Sequence, residues 1–142
     1  MLKIARALEI PAIEYIQESG ITVATIIRAW HCPGETTFVT DDTMVMQAGF
    51  IVYKAGQEVR RHYHQPITRT IQGTPEAVFV RQGSCRLDLY SNTQQLLAER
   101  ILNAGDLVLL QGAGHGFTCL EDVVLFEIKQ GPYGGHHEKV LF

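Results

Sequence analysis

From residue 21 onward the chain is a succession of short apolar runs. They read "ITVATIIRAW", "TTFVTD", "MVMQAGFIVYKAG", "QEVRRHYH", "EAVFVRQG", "SCRLDLYS", "LLAERILNAG", "DLVLLQGAG", "GFTCLE" and "DVVLFEIKQG". Each is rich in β-branched or aromatic residues, and Gly, Pro, Asn or Asp punctuates them. Ten short strands at this spacing predict an antiparallel sandwich or barrel. Ahead of them, "IPAIEYIQESG" has Pro11 suited to a first helical position, Ile13 and Ile16 three apart, and Gly20 where a left-handed stop would sit. A short helix over about 11–19 is expected there.

With 142 residues, 46% of them apolar, the chain is long enough for one domain that buries over half of its unfolded surface. No internal repeat or linker divides it. The formal net charge of −3 and the lack of a Lys/Arg run with interleaved aromatics argue against a nucleic-acid partner. Arg6, Glu9 and Pro11 interrupt the N-terminal apolar stretch, and no window approaches about eighteen uninterrupted apolar residues, so no membrane segment is expected. The expected location is cytoplasmic. Cys32, Cys85 and Cys119 are odd in number and widely separated, which suggests neither a disulfide framework nor a zinc knuckle. All three read as buried small hydrophobes.

The six histidines are distributed unevenly: His62 and His64 stand one residue apart at the end of a strand-like run. Residues two apart on a strand share a face, so these imidazoles project side by side, together with Arg60, and two imidazoles on one face can share a metal. The run from Glu76 to Gly83 alternates. Glu76, Val78 and Val80 fall on one face, Ala77, Phe79 and Arg81 on the other. A carboxylate thus leads an otherwise apolar inward face. In "NAGDLVLLQGAGHGF" a turn, a strand and a Gly-rich turn precede His115, a third imidazole arriving from a different strand.

Gly56, His62, His64, Glu76 and Gly83 resemble, in type and order, the first motif of the cupin superfamily. The spacings from glycine to histidine and from glutamate to glycine are kept. Gly105 and His115 resemble the second motif, with Gln111 where its proline stands and Cys119 where asparagine is usual. The loop between His64 and Glu76 has eleven residues, longer than the family pattern, so the fourth ligand is Glu76, Gln72 or water. The resemblance, strongest to small single-domain bacterial cupins and more distant to WxcM-like ketosugar isomerases, implies an antiparallel double-stranded β-helix, or jelly-roll barrel. In that reading 1–44 holds the N-terminal helix and an edge strand, 45–130 the cupin core, and 131–142 a tail. It further implies one divalent metal on His62, His64, Glu76 and His115.

Such a set of nitrogen and oxygen donors suits Fe, Mn, Ni, Zn or Cu, and its affinity should fall as pH drops through the range where free imidazole protonates, about 6.5. Open positions on the ion would take a small oxygenated metabolite, such as a sugar or sugar derivative, for isomerisation or oxygenation. Tyr53, Gln72 and Phe117 are candidate substrate contacts. Arg60 either clamps a substrate carboxylate or phosphate or sits in water at the barrel mouth. A metal-free isomerase remains as an alternative, with His62, His64 or His115 as base and Tyr63 or Tyr53 as acid. So does a module that only binds or senses a ligand. Lys129, Gln130 and Tyr133 either fold over the cavity or cover an edge, whereas His136 and His137 lie in a tail without a metal role. The sparsely charged run "ITVATII" is expected to form an exposed edge and a homodimer contact.

Overall fold

The structure, a computed structural model, describes residues 9–142; the first eight positions of the expected N-terminal region lie outside it. The segment expected to be helical is a strand, β1 (Ile13–Glu18), and no α-helix occurs among the described residues. β1 pairs antiparallel with β2 (Ile21–Ile27), Glu18 standing opposite Ile21. That register leaves Ser19 and Gly20 as a two-residue turn, with φ of 51° and 83°. Two successive positive φ values match the twist of the flanking strands. Gly20 therefore reverses a hairpin instead of ending a helix, and the ladder outweighs the weak helical signal of Pro11.

The remaining strands are β3 (Thr37–Phe38), β4 (Gly49–Phe50), β5 (Glu76–Gln82), β6 (Ser84–Tyr90), β7 (Leu96–Asn103), β8 (Leu107–Leu110), β9 (Gly114–Cys119) and β10 (Val124–Lys129). They form a five-stranded sheet in the order β1-β2-β8-β5-β10, a three-stranded sheet β7-β6-β9, and the small pair β3-β4. Every pairing is antiparallel. The protein is thus all-β, as its turn-punctuated runs imply, but the sheets do not close into a barrel.

The run "ITVATII" is not an edge. β2 is flanked by β1 and β8, and its last five residues are all buried, as suits a strand covered on both faces. The free edges of the large sheet are β1 and β10. Residues 51–75 form no strand, so "QEVRRHYH" has no ladder partner and lies in an exposed loop. Alternating chemistry alone does not make a strand without a neighbour to accept its hydrogen bonds.

Val78, Val80, Leu87, Leu89, Leu102, Val108 and Leu110, all buried, make the heart of one core shared by the two larger sheets. Burying each such side chain stabilises the fold by about 1.5–3 kcal/mol. The chain passes from one sheet to the other at Gly83, between β5 and β6. Its φ of 76° suits glycine, and an added Cβ would run into the carbonyl oxygen of Asp122. Two ion pairs reinforce the assembly. Arg100 on β7 chelates Glu14 on β1, its Nε 2.8 Å from Oε1, and so ties one sheet to the other. Buried Arg28 donates to Asp106 at 2.9 Å and to the carbonyl of Ile101 at 2.8 Å. Asp106 also accepts from the amides of Ala29 and Asn103.

Candidate functional site

The alternation of β5 places Glu76, Val78 and Val80 inward, and all three are buried. β10 runs alongside with Lys129 opposite Glu76, Glu127 opposite Val78 and Leu125 opposite Val80. Opposed residues of an antiparallel pair share a face. Charged Glu127 and Lys129 are therefore turned inward, while Phe126, opposite Phe79, and Ile128, opposite Ala77, are turned out. From the other sheet β9 contributes His115 and Phe117, which face Leu89 and Leu87 of β6. Between these walls lies a cavity of about 640 Å³. That volume suits a small molecule.

Glu76 and His115 meet in this cavity. The His115 Nε2 stands 3.1 Å from Glu76 Oε2, with side-chain accessibilities of 29% and 6%. The separation is that of an ion pair, yet the oxygen lies off the line of a ring N–H bond, and Oε2 has no hydrogen-bond partner. The other ring nitrogen, Nδ1, is 3.4 Å from the carbonyl of Ala113. If Nδ1–H donates there, the lone pair of Nε2 confronts a carboxylate oxygen, and the two need a proton or a cation between them. A buried charged group lacking a partner costs more than about 1–3 kcal/mol. Glu76, which also lines the cavity, is therefore a candidate binding residue.

The other expected site residues lie elsewhere. His62 and His64 are neighbours, their ring centroids 5.3 Å apart, but both are exposed on the loop, where His62 Nδ1 is 2.9 Å from the carbonyl of Arg60. Arg60, Tyr53 and Gln72 are exposed on the same loop and do not line the cavity. Phe117 does line it, with its ring centroid 6.0 Å from that of His115. Among the described residues, no three His, Cys, Asp or Glu side chains are grouped as a metal site. The loop nonetheless reaches the cavity at its far end, where Gly73 and Thr74 form part of the rim.

Two features of the cavity are not evident in the sequence. The inward charges of β10 were hidden because "VLFEIK" alternates equally well with Phe126 and Ile128 facing the core. Only the register against Glu76 selects the other face. Lys129, a candidate for folding over the cavity, belongs instead to its wall: its Nζ is 3.6 Å from Glu127 Oε1 and 5.2 Å from the centroid of Tyr133. The tail also contributes, since Glu138 to Phe142 line the cavity and the ring of Phe142 stands edge-on to Tyr90, 5.3 Å between centroids. The apolar ending "VLF" after a charged pair is the one sequence signal for this contact.

No protein-family model matches the chain, and no curated protein or solved structure matches it. No helix among the described residues is long and apolar enough to cross a membrane.

Proposed function

We propose that the protein is a cupin-like, metal-dependent enzyme that acts on a small oxygenated metabolite, a sugar or sugar derivative, in the cavity at Glu76 and His115. The observation that carries this reading is the buried, unpartnered Oε2 of Glu76 facing His115 Nε2 at 3.1 Å. An imidazole nitrogen and a carboxylate oxygen so close together are half of a donor set fit for Fe, Mn, Ni, Zn or Cu. A bound ion would supply Lewis acidity toward a carbonyl or a pair of adjacent oxygens.

His62 and His64 complete the set if the loop carrying them folds across the cavity. Supporting this, the loop exposes Ile51, Tyr53, Val59, Tyr63 and Ile67, apolar surface that such folding would cover. The stretch from His64 to Gly73 on the rim spans up to about 30 Å when extended, ample to bring both histidines over the cavity. Closing the loop would complete the jelly roll that the motif spacing implies.

The chain's own groups have defined tasks in this reading. The free lone pairs of Glu76 accept a substrate hydroxyl, and the Lys129 ammonium donates to an oxygen of the same molecule. Phe117 and Val78 form the apolar wall that excludes water and strengthens both contacts. Without a metal, the same pair supports a second reading. His115 then serves as general base through its Nε2 lone pair, with Nδ1–H directed to the Ala113 carbonyl at 3.4 Å.

Elemental analysis of protein purified anaerobically without a polyhistidine tag distinguishes the readings. The wild type should carry one divalent ion per protomer. His62→Ala, His64→Ala, Glu76→Ala and His115→Ala should each lose most of it while keeping a β-sheet circular dichroism spectrum. Full occupancy in the His62→Ala and His64→Ala proteins would overturn the four-ligand site, and a metal-free wild type would leave the acid–base pair.

A further inference from the structure

Cys85 and Cys119 are far apart in sequence, yet they are direct partners across β6 and β9. The amide of Leu120 donates to the carbonyl of Ser84 at 3.0 Å, which makes Ser84 and Leu120 the hydrogen-bonded pair of the ladder. Successive opposed pairs alternate, so Cys85 and Cys119 occupy the adjacent, non-hydrogen-bonded position. There the two Cα atoms stand about 4.5 Å apart, within the about 4.4–6.8 Å that a disulfide accepts. Side-chain direction agrees. Cys85 shares its face with Leu87 and Leu89, Cys119 shares its face with Phe117 and His115, and these two rows oppose each other residue by residue. Both thiols therefore point to the same side of the sheet.

Their surroundings differ. Cys85 has no accessible surface and sits in the core, whereas Cys119 is exposed at the strand end. The sequence-based expectation of three buried cysteines thus holds for Cys85 alone, since Cys32 is exposed as well.

We propose that Cys85 and Cys119 are a redox-active pair that closes into a cross-strand disulfide on meeting a low-molecular-weight disulfide. With glutathione disulfide, the accessible Cys119 thiolate attacks one sulfur and expels one glutathione thiolate, forming a mixed disulfide. Cys85 then loses its proton and attacks Cys119 Sγ, expelling the second glutathione. The protein gives up two electrons and two protons, and the oxidant becomes two thiols. Burial, with Cys119 and Asp106 adding to it, pushes the Cys85 thiol up, consistent with its acting second. Closure would fasten the strand bearing His115 and Phe117 to the middle strand of its sheet. The proposal is independent of what the cavity binds.

The test uses the full chain carrying Cys32→Ser, which removes the remaining exposed thiol, treated with glutathione disulfide. Intact mass should fall by two hydrogens with no glutathione retained, and peptide mapping should find Cys85 joined to Cys119. Adding Cys85→Ala should stop the reaction at a stable glutathione adduct on Cys119. A persistent adduct on Cys119 with Cys85 still free in the C32S protein would overturn the proposal, as would the absence of any reaction there or of the adduct in the Cys85→Ala protein.

Discussion

Lys129 stands directly opposite Glu76 across β10 and β5, and both side chains face the cavity. Their common orientation follows from the ladder alone, because partners in an antiparallel pair share a face. It gives the cavity one buried acceptor and one ammonium donor, and it turns two large apolar side chains of β10 outward.

The orphaned carboxylate should burden the empty fold. Glu76→Gln keeps the shape and removes the buried charge, so the metal-free variant should be more stable than the metal-free wild type by about 1–2 kcal/mol. Its metal binding should drop sharply. Calorimetric melting in the presence of a chelator checks the first part, and a variant that melts below the wild type would show that Glu76 is satisfied by some other contact.

Asp106 is the opposite case. It accepts from Arg28 and from the amides of Ala29 and Asn103, so Asp106→Ala strands a buried guanidinium and two backbone donors. The loss should be about 3–5 kcal/mol, read as a lower urea midpoint with little change in slope. A change below about 1 kcal/mol would mean that water reaches Arg28.

Two glycines with positive φ should respond unequally to alanine. Gly20→Ala meets open space and should cost about 1–2 kcal/mol from backbone strain alone. Gly83→Ala adds a collision with the Asp122 carbonyl at the corner between sheets and should cost well over that. Equal losses in urea denaturation would contradict the close approach at Gly83.

Alkylation should sort the thiols. At pH 8 iodoacetamide should label Cys32 and Cys119 quickly, while Cys85, buried and with its thiol held up, should react only on unfolding. Because the folded-state value is raised, the Cys85 contribution to stability is fully present below the pKa of a free thiol, about 8.5, and is lost as pH rises through the folded value. Cys85→Ala should flatten that alkaline decline, which urea midpoints measured across the range will report.

The free β10 edge bears on assembly. Phe126 and Ile128 are 59% and 58% accessible beside an unpaired strand edge. Exposed apolar edges of this kind tend to pair with another chain. If a homodimer forms, Phe126→Glu should shift its sedimentation toward the monomer at micromolar concentration, whereas a comparable change at Ile21, exposed beside the β1–β2 turn and away from the β10 edge, should not. A wild type that sediments as a monomer would remove the dimer.

Local chemistry was sufficient for some of this architecture. Branched runs between Gly and Asn marked the strands of 76–129, and the alternation from Glu76 to Arg81 fixed which residues of β5 face the core, because strand periodicity needs only neighbouring residues. Motif order drew attention to Glu76 and His115, and strand parity to Phe117, and all three line the cavity. Sequence could not decide features that depend on a distant partner. The stretch before Gly20 carries helix and strand signals alike, and only β2 made it a hairpin. The run ending in His62 and His64 has the composition of a strand but no neighbour to bond with. The inward face of β10, and the meeting of Cys85 with Cys119, arise from ladder register, which tertiary packing sets by burying one face of each sheet.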